Sequence, residues 1–173
     1  FAEAFETRND RYPVSNEDRE RYAGLMLKSQ AFDNFLANKF STVKRYSGEG
    51  AESMLVWFDE ILRSAARGGV NNAVIGIPHR GRNNLLTVLL NYPPMLYFRK
   101  MKGKSEFPRE FPEATGDTFS HYYQSTDLDY GPQGGGSLHV SLIPNPSHLE
   151  ANVSVAVGKT RSKLQTLGDY DYA

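Results

Sequence analysis

The stretch that decides the fold is NAVIGIPHRGR, Asn72 to Arg82. Ala73 to Ile77 is a short, nearly continuous apolar run bounded by asparagines and by Pro78, the pattern of a strand buried on both faces. Before it, Met54, Leu55, Phe58, Ile61, Leu62 and Ala65 recur at helical spacing and stop at Gly68-Gly69. A helix feeding such a strand predicts an α/β fold, a mostly parallel sheet flanked by helices. His79-Arg80-Gly81-Arg82 then stands beyond the carboxyl end of the strand, where open α/β sheets bind ligands. Arginine forks grip phosphate or carboxylate, and Gly81 leaves room for a ligand beside the backbone, so the expected guest is an anion. The plainer alternative is a solvated basic turn with an incidental histidine.

Upstream, Ser15 and Asp18 sit where a capping pair opens a helix. Tyr22, Leu25, Met26, Phe32, Phe35, Leu36 and Phe40 then place one helix, or a broken pair, over 16–40. Residues 1–14, ending in Tyr12-Pro13-Val14, read as an extended lead-in. Downstream, a helical stretch over 83–91 precedes another opened by Pro93-Pro94 and running to about Met101. Residues 102–136 show no period and read as a long loop, with Gly134-Gly135-Gly136 as a flexible joint. Ser137 to Ile143 alternates polar and apolar like a half-buried strand. Ser147 and Glu150 form a capping box that starts a helix near His148.

The 173 residues are 39% apolar and 12% aromatic, enough for a real core. Twenty basic residues balance twenty acidic ones at a pI near 7.1, so no global field favours nucleic acid or an anionic membrane. The absence of cysteine excludes disulfides, thiolate zinc sites and thiol nucleophiles. No apolar run approaches the roughly 20 residues that span a bilayer. The chain opens at Phe1, so a targeting segment is expected to have been removed or omitted.

His121 and Ser125 stand four residues apart among Tyr122, Tyr123 and Gln124, a setting suited to proton transfer or to holding a substrate oxygen. In isolation His121 reads better as a surface loop histidine. His139 shares a strand face with Ser137 and Ser141 and reads as structural, and His148 reads as packing or capping a helix start. No histidine pairing supports a zinc site, and the triple glycine lacks the context of a dinucleotide or P-loop site. Arg99, Lys100, Lys102 and Lys104 would suit RNA, but Glu106, Glu110 and Glu113 offset them.

Six blocks in order carry a resemblance: KRYSGEGAES (44–53), IGIPHRGR (75–82), FRKMKGKSEFP (98–108), TGDTFSHYYQS (115–125), PNPSHLEA (144–151) and AVGKTR (156–161). Together they resemble the decarboxylating (first) component of the 2-oxoglutarate dehydrogenase family, most nearly its 2-oxoadipate branch, over roughly 20–165. The resemblance implies oxidative decarboxylation of a dicarboxylic 2-oxoacid on thiamine diphosphate with magnesium. The acyl group would pass to a lipoyl-bearing acyltransferase that works with dihydrolipoamide dehydrogenase. His79 and His121 would line the reaction centre, Arg80 would approach the cofactor diphosphate, and Ser125 with His121 would bind the substrate's carboxylate end. Residues 1–19 would form the lead-in and 20–173 the N-terminal part of an incomplete diphosphate-binding domain. A homodimer, and the mitochondrial matrix in a eukaryote or the cytoplasm otherwise, complete the expectation.

The chain departs from the family pattern at Asn83, where leucine is usual, and at Asn152-Val153-Ser154, where a proline is common. Nothing after Val157 resembles the family's metal-holding segment, so the metal ligands are expected outside this chain. The chain alone is expected to bind the cofactor weakly and not to turn over. The alternative is a shortened, non-catalytic form that acts as an interaction or regulatory subunit.

Overall fold

The computed structural model describes residues 14–105, 107, 110, 121–144 and 148–170. Residues 1–13 of the expected lead-in and Ser147 of the capping box lie outside them.

Helix α1 (Asn16–Lys39) opens as its sequence predicts: Ser15 Oγ accepts from the Asp18 N–H at 3.0 Å and donates to the Asp18 carboxylate at 2.7 Å. It is one unbroken helix. Helix α2 (Ser53–Arg67) packs along it, and the Arg21 guanidinium ties the pair by reaching Asp59 and Glu60 on α2 as well as Asp18. Gly68 and Gly69 then turn the chain into strand β1 (Asn72–Ile75).

The segment after β1 forms a short helical turn, α3 (Arg82–Asn84), that runs directly into a π-helical turn (Leu85–Leu89). The Leu90 N–H bonds back five residues to the Leu85 carbonyl at 3.0 Å, and this widening ends the helix at Asn91, whose φ is 57°. Helix α4 (Pro94–Met101) begins with proline in its first turn, as expected. Strands β2 (Gln124–Asp129) and β3 (Ser137–Leu142) follow, joined through a 3-10 turn (Pro132–Gly134). Helix α5 (Leu149–Leu167) ends on Gly168 at φ 76°.

The three strands form one sheet in the order β1-β3-β2. β1 runs parallel to β3, with Asn72 opposite His139 and Ile75 opposite Leu142. β2 runs antiparallel to β3, with Ser125 opposite Ser141 and Asp127 opposite His139. The sheet is therefore mixed, and the expected long loop over 102–136 contains a strand. The triple glycine is also no free joint. Gly135, at φ 96°, lies so close to the Ala66 backbone at the end of α2 that no Cβ would fit.

Strand alternation sorts the sheet into two faces. Leu138, Val140 and Leu142 of β3, with Leu128 and Ile75, meet Leu55, Leu62 and Ala66 of α2 and Leu85, Leu86 and Leu89 of the π turn. Asn72, Ser125, Asp127, His139 and Ser141 take the other face. There α5 crosses β1, and Lys163 Nζ donates to Asn72 Oδ1 at 3.0 Å. Burying a leucine-sized side chain contributes about 1.5–3 kcal/mol, so the α2 face carries most of the stability.

A buried polar cluster sits between α1 and the turn after β1. Asp33, 1% exposed, accepts from the Gly48 N–H at 3.0 Å and from Asn84 Nδ2 at 2.9 Å. Asn84 Nδ2 also reaches Ser29 Oγ at 2.9 Å. Among the described residues the second Asp33 oxygen has no partner. Burial pushes the Asp33 carboxyl above its ordinary value of 3.8, against the two hydrogen bonds that pull it down. A carboxyl with a raised folded pKa stabilises the native state below its unfolded value. It loses that contribution as pH rises through the folded value. Asp33→Asn keeps an accepting oxygen and removes the charge. We therefore expect urea denaturation to show a gain in stability at neutral pH that vanishes toward pH 3. An equal effect at both pH values would show that ionisation of Asp33 is not involved.

Candidate functional site

The site is assembled at one end of the sheet. Because β1 and β3 are parallel and β2 is antiparallel to β3, the segments after β1, before β2 and after β3 emerge side by side. One side chain joins all three. The Arg82 guanidinium donates from Nη1 to the Ile77 carbonyl at 2.8 Å and from Nη2 to the Tyr122 and Ile143 carbonyls, each at 2.7 Å. Arg82 is wholly buried, and that burial lowers its pKa to about 10. It remains charged at neutral pH.

This corrects the sequence expectation for the HRGR turn. Of its two guanidinium groups, Arg82 is committed to main-chain carbonyls inside the protein, and only Arg80 is exposed. Gly81 has a different task from the one expected. Its φ is 67°, its N–H donates to the Ser47 carbonyl at 3.1 Å, and a Cβ there would meet Met54 Cε at 2.7 Å. It fits the turn against α2 and Gly48 rather than making room for a ligand.

His79 and Arg80 are held on the outer side of this turn, both exposed, with the Arg82 N–H bonded to the His79 carbonyl at 3.1 Å. Among the described residues Arg80 has no ion-pair partner. His121 is half-buried next to Tyr122, whose ring anchors the segment in an aromatic group with Tyr92 and Tyr97 at centroid distances of 5.7 and 5.3 Å. The expected residues thus reach the same end of the sheet.

Ser125 lies on the polar sheet face beside a cleft of about 370 Å³ between β2, β3 and α5. Ser141, Pro144, Val155 and Lys159 line it with Ser125; His79 and His121 do not. The Ser125 hydroxyl is 3.0 Å from His139 Nε2, and His139 Nδ1 is 2.7 Å from Asp127 Oδ1. Asp127, His139 and Lys159 were not singled out for chemistry by the sequence, although strand parity would have aligned Ser125 with Asp127 had β2 been seen. His148 is the exposed residue before α5 and makes no side-chain cap, contrary to expectation. Among the described residues no cluster of His, Asp and Glu could hold a metal.

Asn83, at the family departure, is wholly buried and donates to the Arg45 carbonyl at 2.9 Å. Its amide nitrogen is thereby paired behind the turn, while among the described residues its Oδ1 is buried without a partner.

No protein-family model matches the chain. It is 54% identical over all 173 residues to the 2-oxoadipate dehydrogenase complex component E1 of Homo sapiens. To the protein of the same name from Xenopus laevis it is 58% identical over 159 residues, 92% of this chain. A 2-oxoglutarate dehydrogenase E1 component from Brucella canis is 31% identical over 151 residues, 87% of this chain. The chain spans 18%, 17% and 15% of those three proteins respectively.

Removing the Arg82 fork would leave three carbonyls buried without a donor, at about 1–3 kcal/mol for each group left unpaired. Arg82→Met is expected to lower the urea midpoint by the equivalent of at least about 3 kcal/mol. Arg82→Lys, with one ammonium for three separated acceptors, should recover only part of it. Full recovery by lysine would show that charge, not the planar fork, is what matters.

Proposed function

Since the chain is a segment of the E1 component of the 2-oxoadipate and 2-oxoglutarate dehydrogenase family, we propose that it serves oxidative decarboxylation of a dicarboxylic 2-oxoacid within a longer protein. The acyl product would pass to a lipoyl-bearing acyltransferase that works with dihydrolipoamide dehydrogenase. The observation that supports this reading is the Arg82 clasp, which gathers the segments bearing His79, Arg80, His121 and Ser125 at one sheet end.

The residues present fit part of a thiamine diphosphate site. Arg80, an exposed guanidinium beyond a strand's carboxyl end, would meet the diphosphate. Magnesium would be held by residues outside the described part of this chain. Bound there, the cofactor would supply the electron sink for loss of carbon dioxide. The chain's own histidines would do the rest: His79 and His121 hold substrate oxygens and move protons at their imidazole nitrogens. Ser125, with Lys159 beside it, would meet the substrate's carboxylate end.

The structure has surfaces suited to a longer chain. Leu149, Val153 and Val157 form an i, i+4, i+8 stripe on α5 and are 63%, 57% and 63% exposed. Among the described residues the outer side of β1 has no partner strand, and beside it Trp57, Phe58 and Ile61 line a groove of about 320 Å³.

In the full-length enzyme, His79→Ala or His121→Ala should lower kcat at least about tenfold. Ser125→Ala should act mainly on KM. Unchanged steady-state kinetics in both histidine variants would defeat the assignment. The 173 residues alone should bind thiamine diphosphate and magnesium weakly, and micromolar binding by isothermal titration would contradict that.

A further inference from the structure

Ser125, His139 and Asp127 form a continuous hydrogen-bonded line, 3.0 Å from Ser125 Oγ to His139 Nε2 and 2.7 Å from His139 Nδ1 to Asp127 Oδ1. The sheet register builds it. Asp127 pairs with His139, and Ser125 lies two residues back on the same face of β2. An ionised carboxylate can only accept, so Asp127 keeps a proton on Nδ1. In the neutral ring Nε2 is then an acceptor, and the Ser125 hydroxyl donates its single hydrogen to it. Ser125 offers the cleft only lone pairs, which repel a carboxylate. In the protonated ring Nε2–H donates to Ser125 Oγ instead. The hydroxyl hydrogen is released to point into the cleft, where Lys159 already supplies a positive charge.

We propose that Asp127 and His139 are positioning residues whose protonation state decides whether Ser125 accepts or donates, so that a carboxylate enters the Ser125–Lys159 cleft together with one proton taken up by His139. The inference rests on the reading of Ser125 as the contact for the substrate's distal carboxylate. Among the described residues, Asp127 and Asp129 of β2 and Lys159 and Lys163 of α5 are the charged groups on this side of the sheet. Asp129 caps the Gly131 N–H at 2.8 Å, Lys163 is bonded to Asn72 of β1, and β3 adds only Ser137 and Ser141. Asp127 is the carboxylate that touches the ring. At 69% side-chain exposure it can be replaced without opening the core.

The test is the pH dependence of KM in the full-length holoenzyme between pH 5.5 and 8.5. It compares a dicarboxylic 2-oxoacid with a 2-oxoacid of equal chain length lacking the distal carboxylate. Histidine titrates in this range. For the dicarboxylic acid, KM should rise about two- to tenfold across a single break and then level off, since freeing the hydroxyl from the neutral imidazole gives up one neutral hydrogen bond, and the monocarboxylic acid should show no such break. His139→Phe should abolish the break, and Asp127→Ala should shrink it, because a ring no longer held with its proton on Nδ1 can present Nε2–H to Ser125 while neutral. A break that persists in His139→Phe or keeps its full size in Asp127→Ala would overturn the proposal; if the phenylalanine variant fails to fold, Asp127→Ala decides alone. Ser125→Ala separates the two readings. A raised KM there with an unchanged break in the other variants sinks only the relay, whereas an unchanged KM removes Ser125 from the substrate and the relay with it.

Discussion

A buried guanidinium is the constraint from which the site end of the molecule follows. Bringing Arg82 out of water costs several kcal/mol, offset only if its N–H groups find acceptors. The ends of a sheet supply them, because strand carbonyls beyond the last ladder bond are otherwise orphaned. Arg82 meets Ile77, Tyr122 and Ile143, residues 5, 40 and 61 positions away. Three unrelated stretches of sequence are thereby set in one frame. A planar fork does this; a point charge on a flexible stem does not.

The frame is braced from behind. Gly48 touches the HRGR turn through Gly81 and the buried cluster through its N–H bond to Asp33, so α1, the 47–48 turn and the segment after β1 are tied together. Asn84 extends the same bracing to Ser29. With Arg82, Asn83 and Asn84 filling the inner side of the turn, His79 and Arg80 have only the outer side left. The exposure of one arginine and the burial of its neighbour but one are two results of a single packing arrangement.

Three helices were legible in the sequence because each carries its own local signal: Ser15 before α1, Pro93-Pro94 at α4, Gly68-Gly69 after α2. β1 and β3 announced themselves through apolar runs and alternation. β2 did not, since QSTDLD has one large apolar residue, Leu128, and packs it under β3 while its other face stays wet. Missing that strand hid the antiparallel pairing, the purpose of the glycine turn against Ala66, and the alignment of Ser125 with Asp127. Arg82 was misread for a different reason. An arginine after a strand looks the same in sequence whether its fork meets a ligand or three distant carbonyls, and only the long-range contacts distinguish them.

Charge placement along the sheet gives the site a direction. Arg80 and Lys159 stand toward the end where β1 and β3 finish, whereas Asp127 and Asp129 lie progressively down β2 toward the opposite end. Lys163, held on Asn72 at the start of β1, partly offsets those carboxylates, so the unopposed positive charge lies at the strand ends. Ser125 sits at the boundary between the two fields, with a lysine-lined cleft on one side and the His139–Asp127 pair on the other. A hydroxyl has one hydrogen to give, and at that boundary it is shared between an imidazole and whatever occupies the cleft. The arrangement therefore couples the anion to a proton, because the hydroxyl must give up its bond to the neutral imidazole before it can turn toward the carboxylate.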